Sequence, residues 1–433
     1  VTAEKFDVIV VGAGPAGSAA ALTMAKEGVD VALIERGETP GAKNVFGGVV
    51  YQWPLEELVP NFWEKAPIER RVVDHRLVIM SKESSFTISY RDDYFAQNAC
   101  GGFTALRTKF DPWLAQKAEE AGALLITGMA VDDVIIENGR VVGVTTGKGR
   151  ENELYASAIV AADGVLSTVL KKAGIRGPPA PHEVALGVKE IIELPSETIE
   201  ARFNLKKGVG ARLDYLGYVT SGRAGGGFVY TNSNSLSVGV AILLSDLIEL
   251  KIKPYELLDW FKSHPAVSPL IEGGKVKEYQ AHLIPEGGID SIPPLVSKGV
   301  LAVGDAAMLC LYPEGTNMAM ASGMLAGRAL ARAKKLNDFS DSSLFEYQRL
   351  MESSYVVREH KRKKRYNEVL RESQRFFNEY PEMITQIMRE LLVVDGLEKS
   401  VKHQRARETI RDKVGYLRLL KDFYSEVWSV LPW

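Results

Sequence analysis

Cysteine is scarce in this sequence. Cys100 and Cys310 are its two thiols, and an iron-sulfur cluster takes four, so this chain has no ligand set for one. Two cysteines in 433 residues also exclude a disulfide-stapled scaffold and fit a reducing compartment. No apolar run reaches about 18 residues, the length a spanning helix needs. The longest candidates are pieces such as Val238 to Leu244, so a chain that meets a membrane is expected to lie on it. Neither sign of charge dominates: a formal net charge of -2 offers nucleic acid no long-range attraction. The start Val1-Thr-Ala-Glu-Lys-Phe-Asp7 leads straight into a strand pattern, without the basic and apolar regions of a signal peptide, and export is not expected. Internal repeats are absent, and no His-Cys-carboxylate spacing reads as a metal site.

The chain is 46% apolar and 25% charged, the composition of an ordinary globular protein. Single cores stop growing near about 250 to 300 residues, so two or three connected domains are expected. Phe6 to Val11 is a β-branched run suited to a strand buried on both faces, followed by Gly12-Ala-Gly-Pro-Ala-Gly17. An alanine-rich helix over Ser18 to Glu27, a stop at Gly28 and a strand over Val29 to Ile34 complete one βαβ unit. Asp111-Pro112 has the form of an N-cap and first helical residue, with Arg107 just before it. Strands follow at Leu124 to Ile126, Val131 to Ile136 and Arg140 to Thr146, the last two joined at Asn138-Gly139. A further strand, Ile159 to Ala162, delivers Asp163-Gly164. The proline-rich step Gly177 to Pro181 marks a boundary, beyond which long alternating strands run through Val184 to Leu243. The first pattern returns at Val300 to Val303, and from Ser342 onward the chain reads as helix. The reading is therefore α/β, with residues 1–180 and 293–340 forming one domain that carries an inserted segment at about 45–105. Residues 181–292 form an antiparallel sheet domain and 341–433 a helical region.

Gly12, Gly14 and Gly17 close a tight turn, admit a pyrophosphate and pack helix on strand. Pro15 and Ala16 lie between them, and the N-H groups of the helix start face the phosphates. Glu35, at the end of the second strand, has the place of a carboxylate that accepts from ribose hydroxyls, with Arg36 beside it. These residues point to a dinucleotide without separating FAD from NAD. A second segment does separate them: Gly304-Asp305-Ala-Ala with Glu314-Gly315-Thr-Asn-Met318, again at a strand end and helix start. Together the two resemble the glutathione-reductase-type FAD fold. That resemblance implies that Asp305 holds the ribityl chain, that amides of Gly315, Thr316, Asn317 and Met318 face the flavin pyrimidine edge, and that Gly304, Arg107, Val131, Asp163 and Gly164 belong to the FAD site. Asp163-Gly164 with Ser167 reads equally as a strand-ending turn, and a solvated surface residue is the lesser alternative for Arg107. Ala319, Gly323 and Gly327 make a small-residue stripe that tight packing explains.

Read with Lys43-Asn-Val-Phe-Gly-Gly48, Ala185-Leu-Gly-Val-Lys-Glu190 and His282-Leu-Ile-Pro-Glu-Gly-Gly288, the sequence resembles the electron-transfer flavoprotein:quinone oxidoreductase family. The likeness is to its shorter members, which work with nitrogen-fixation or electron-bifurcating flavoprotein complexes. It adds Gly47 and Gly48 to the FAD site. It implies an oxidoreductase moving electrons from a reduced electron-transfer flavoprotein, through non-covalent FAD, to quinone. It implies partners as well: the electron-transfer flavoprotein subunits, a small ferredoxin-like subunit holding the iron-sulfur cluster, and the inner face of the cell membrane. A geranylgeranyl-reductase-like enzyme and a flavin monooxygenase would share the flavin motifs.

For the quinone, Gly225 to Gly227 reads either as an opening for a flat ring or as a strand bend. Gly226, Gly227, Phe228 and Tyr230 are the candidates there, and His282 is a candidate proton relay because imidazole titrates near neutrality. Leu247, Ile248, Leu250 and Ile252 form a candidate apolar ridge for a bilayer. Arg358 to Arg365 is a basic helical run, and the tail from Ser342, with aromatics from Phe423 to Trp433, is a candidate docking surface.

Overall fold

In the computed structural model the chain is described over residues 4–42, 48–98, 102–147, 152–364 and 374–422. It divides into two compact units, Val1–Arg71 with Asn98–Val184 and His282–Lys361, and Val72–Gln97 with Ala185–Ala281 and Arg362–Trp433.

The first unit is wound around the strand Glu4–Val11, whose Val8, Ile9 and Val10 are wholly buried. It pairs in parallel with Val31–Ile34 on one side and Asn152–Ala161 on the other. Leu124–Ile126 extends the sheet beyond the first neighbour and Val300–Ala302 beyond the second. The chain thus leaves the central strand toward one side and returns on the other, which opens a crevice at its carboxyl end. Gly12 stands at that end with φ 103°. The helix Pro15–Lys26 follows, and the long helix Gly315–Leu336 packs on it. The small-residue stripe makes that contact: a Cβ at Gly323 would lie 2.0 Å from the Ala16 carbonyl oxygen, and one at Gly327 2.9 Å from that of Ala20. The hairpin turn at Asn138-Gly139 forms, with both φ positive.

One helix starts earlier than its sequence suggests. It spans Arg107–Glu120 with Leu106 as N-cap, and Pro112 lies inside it. Asp111 is not a cap: its buried carboxylate accepts from Arg107 one turn back, at 2.5 and 2.7 Å. That ion pair and the buried Phe110, Leu114, Ala115 and Ala118 outweigh the backbone bond that proline cannot donate.

The second unit is an antiparallel sheet in the order Lys275–Pro285, Val184–Glu193, Ser235–Leu243, Gly225–Thr231, Val209–Gly217 and Arg70–Met80, with Ser85–Arg91 on the last. Its core side carries Val188, Leu213, Tyr215, Val229, Val238 and Val240 against Leu258 and Phe261 of the helix Pro254–Ser263. Helices Glu379–Leu392, Lys399–Lys413 and Tyr416–Asp422 belong to the same unit. Arg375 and the Tyr380 hydroxyl donate to Asp422 at 2.7 to 3.0 Å and tie them together.

One surface expectation fails. In the proposed apolar ridge Leu247 is buried with Ile242 and Leu257, Leu250 and Ile252 pack against the same cluster, and Ile248 alone is freely exposed. The helix Leu244–Leu250 turns its apolar side inward because three of the four residues fit the sheet's edge cluster. The tail from Ser342 begins as part of the first unit's core. Helix Asp341–Ser353 buries Leu344, Tyr347 and Met351 in the first unit, and the Tyr347 hydroxyl donates to the Ala302 carbonyl at 2.9 Å. In the basic run His360 is buried, while Arg365 and residues 423–433 lie outside the described residues.

Candidate functional site

The crevice at Gly12 is built for a phosphate. A Cβ at Gly12 would meet the Ala162 carbonyl oxygen at 2.4 Å, and one at Gly17 would meet that of Gly12 at 1.9 Å, so both glycines are demanded by the protein itself. Gly14 differs, since a Cβ there would find only the Arg107 Nη2 atom, at 3.7 Å. That is the space a pyrophosphate takes. Gly14 caps its helix with no side-chain bond, Pro15 has no N-H, and the first ladder bond is Ser18 N to Gly14 O at 2.9 Å. The amides of Ala16 and Gly17 therefore have no in-helix acceptor. Ala16 is buried against Gly304 and the long helix. Glu35 accepts from the Ala13 amide at 3.0 Å and from that of Gly37 at 2.7 Å. Each carboxylate oxygen has a second lone pair, which suits it to ribose as well.

Charged side chains far apart in sequence gather here. Burial opposes the charge on Arg107, but its contact with Asp111 prevails and holds the guanidinium firmly protonated. Burial pushes Asp305 up to about 6, against the pull of Arg107. Burial, Arg107 and Arg36 bring His282 down to about 4, so it is a neutral imidazole at pH 7. In that form it carries one N-H donor and one acceptor nitrogen. The thiol of Cys310 is pushed up by burial, Asp305 and Glu286 and stays protonated.

The Asp305 carboxyl gives a stability test. Its folded value lies above its ordinary 3.8, so the folded state binds the extra proton and stability falls as pH rises from about 4 to 6. Asp305→Asn is expected to stabilise flavin-free protein by about 3 kcal/mol at pH 8, and by about 1.4 kcal/mol less at pH 5. Thermal unfolding at the two pH values measures it; an equal gain at both would show that Asp305 is ionised throughout.

At the second segment the long helix starts at Gly315 rather than Asn317, and the Met318 amide already donates to Glu314 at 2.9 Å. Gly315, Thr316 and Asn317 are left as the free first turn. The Asn317 side chain is occupied: Oδ1 accepts from Tyr51 N at 3.1 Å and Nδ2 donates to the carbonyls of Tyr51 and Trp53. Asp163 accepts from Ser167 Oγ at 2.6 Å and Val169 N at 3.0 Å, and Gly164 turns with φ 82°, as a strand-ending turn requires. Val131 opens an outer strand opposite Thr146. Gly48 pairs with Ala105, while Gly47 and residues 43–46 lie outside the described residues.

On the second unit's sheet, the glycine run has structural work. A Cβ at Gly227 would strike Val219 and the Phe261 ring at 2.7 and 2.9 Å, and one at Gly226 the Tyr215 carbonyl oxygen at 2.8 Å. Gly227 thus yields to core packing, and its missing side chain leaves no room for a ring on that side. Phe228 and Tyr230 stack at 4.8 Å. Phe228 fits because Gly239 opposite it has no side chain: a Cβ there would lie 2.4 Å from the ring and 2.7 Å from Lys189 Cβ. The Tyr230 hydroxyl donates to Asp214 at 3.3 Å, and Arg212 pairs with the same carboxylate at 2.7 Å. Arg212 and Asp214 belong to no motif singled out in the sequence. The signal was the alternation Arg-x-Asp in a strand otherwise apolar.

A doubly wound sheet, a phosphate cradle that a Gly14 side chain would fill, and a carboxylate on the ribose side define a dinucleotide-binding oxidoreductase, and the FAD dependent oxidoreductase family matches residues 7–176. The protein is FAD-dependent. More narrowly, the chain belongs to the ETF-QO/FixC family: the ETF-QO ubiquinone-binding model matches residues 184–284 and the ETF-QO/FixC C-terminal domain residues 366–430. It is 41% identical to Protein FixC of Bradyrhizobium diazoefficiens over 97% of this chain and 98% of that one. It is also 41% identical to a probable electron transfer flavoprotein-quinone oxidoreductase of Escherichia coli K12, over 97% of each. In fold it is similar to a geranylgeranyl bacteriochlorophyll reductase-like protein of Thermoplasma acidophilum, with TM-score 0.71, 22% identity and coverage of 97% and 99%. At that identity the likeness is one of fold. Among the described residues no helix is long and apolar enough to cross a membrane, and no cluster of metal-ligating side chains occurs.

Proposed function

We propose that this chain passes electrons from a reduced electron-transfer flavoprotein, through non-covalently held FAD, to a membrane quinone. The observation that carries the reading is the match of the ubiquinone-binding family model to residues 184–284, the stretch that forms most of the second unit's sheet. Bound FAD would supply exchange of electrons singly or in pairs, joining a one-electron donor to a two-electron acceptor. The chain's own part is to seat it: Ala16 and Gly17 amides toward the pyrophosphate, Glu35 toward ribose, Asp305 toward the ribityl chain, and the amides of residues 315–317 toward the pyrimidine edge, where a helix start favours negative charge. Phe228, Tyr230, Arg212 and Asp214 are the side chains we assign to the acceptor's domain. The partners in this reading are the electron-transfer flavoprotein subunits and a small ferredoxin-like subunit, since two cysteines cannot hold a cluster.

Protein reduced under anaerobic conditions and mixed with a short-chain quinone is expected to regain its oxidised flavin spectrum within the mixing experiment. Flavin that stays reduced with quinone, yet is reoxidised by a polyprenyl substrate, would replace this reading with a reductase of isolated double bonds.

A further inference from the structure

The helices Glu379–Leu392 and Lys399–Lys413 form a hairpin. Its base is ordinary core, with Tyr380, Met383 and Val414 buried and Ile384, Ile387 and Ile410 packed on them. Toward the tip the apolar side chains continue but the cover stops. Every residue from 391 to 401 is exposed, including Leu392 at 71% and Val394 at 98%, with Leu391, Val393, Leu397 and Val401 alongside. Single exposed apolar residues need no explanation, but a contiguous group of six marks a surface that meets something else.

The tip is a built turn. Gly396 has φ 80°, and Asp395 accepts from the Leu397 amide at 3.2 Å. Lys402, itself buried, places its ammonium 2.9 Å from Asp395 and on the Val393 carbonyl. That contact neutralises the acid nearest the tip. The helix behind it carries six lysines and arginines against Glu408 and Asp412; Lys402 pairs with Asp395, Arg405 with Glu390 and Arg411 with Asp412, which leaves Lys399, Arg407 and Lys413 exposed for headgroups, with Glu398 the exposed acid beside them. A convex apolar tip with a basic flank matches the two layers of an anionic bilayer, acyl boundary and headgroups.

We propose that residues 391–401 enter the interfacial layer of an anionic membrane, with the helix Lys399–Lys413 against the headgroups. The inference rests on the quinone reading, because an acceptor dissolved in the bilayer requires the protein at its surface. It replaces the ridge at Leu247, which is buried. The test uses flavin-loaded full chain and vesicles of phosphatidylcholine, with and without phosphatidylglycerol. Wild type is expected to sediment with the anionic vesicles and more weakly with the neutral ones. A Leu392→Asp/Val394→Asp variant should bind roughly tenfold less or worse, with flavin content and melting temperature unchanged because neither side chain is buried. Equal binding by the variant overturns the proposal, and so does wild type that stays in solution with both vesicles, which would leave the tip to a protein partner. Reduction of a water-soluble short-chain quinone is read separately on both proteins. Its failure sinks the quinone reading, whereas the vesicle result alone decides the anchor.

Discussion

A Gly14→Val variant is expected to fold normally and to purify colourless. The backbone at Gly14 has φ -73° and ψ -177°, extended geometry that valine adopts without strain. The nearest protein atom to a new Cβ is the end of the Arg107 side chain at 3.7 Å, an ordinary van der Waals contact that requires nothing to move. The added methyl groups instead occupy the volume needed by the pyrophosphate, and bound flavin should fall from about one per chain to below about a tenth. Flavin absorbance per protein, with circular dichroism as the fold control, measures it. Gly17→Ala is the contrasting case: its Cβ would meet Gly12 O at 1.9 Å, so it should lose the fold along with the flavin. Stoichiometric flavin in folded Gly14→Val would place the cofactor elsewhere.

Removing Arg107 should be nearly as severe, for a different reason. Arg107 and Asp111 are 11% and 1% exposed at the side chain and bonded through two nitrogens. Arg107→Ala strands the Asp111 carboxylate in the interior and takes a cation away from Asp305. Breaking a buried pair from one side costs about 3 to 5 kcal/mol, a large part of a marginal stability. Replacing both partners, as Arg107→Met with Asp111→Leu, leaves no buried charge and should recover most of that loss. Denaturant unfolding of the three proteins separates the cases; a double variant no more stable than Arg107→Ala would assign the loss to packing instead. Flavin affinity should stay reduced in the double variant if Arg107 also faces the phosphates.

The dinucleotide site was legible because its evidence is local. A buried strand, a turn that only glycine can make and an acid at the next strand's end occupy neighbouring positions, and their spacing shows in the chain. Hairpin Asn138-Gly139 was legible for the same reason. The start of helix Arg107–Glu120 was not, because Asp111-Pro112 has the local form of a helix start while a buried ion pair draws the helix one turn further back.

By itself, then, the sequence determined the doubly wound unit, the antiparallel sheet, the phosphate cradle and the want of cluster ligands, all of which depend on backbone conformation or on residue type. Tertiary structure alone decided which side chains are charged and which are covered. Arg107 and Arg36 lower His282 through space, and Arg107 pulls against burial at Asp305, and no spacing in the chain encodes that field. Burial is equally non-local: Leu247 and Leu392 are both leucines near helix ends, yet the first is 7% exposed and the second 71%, because only one of them has a neighbouring element within reach to cover it.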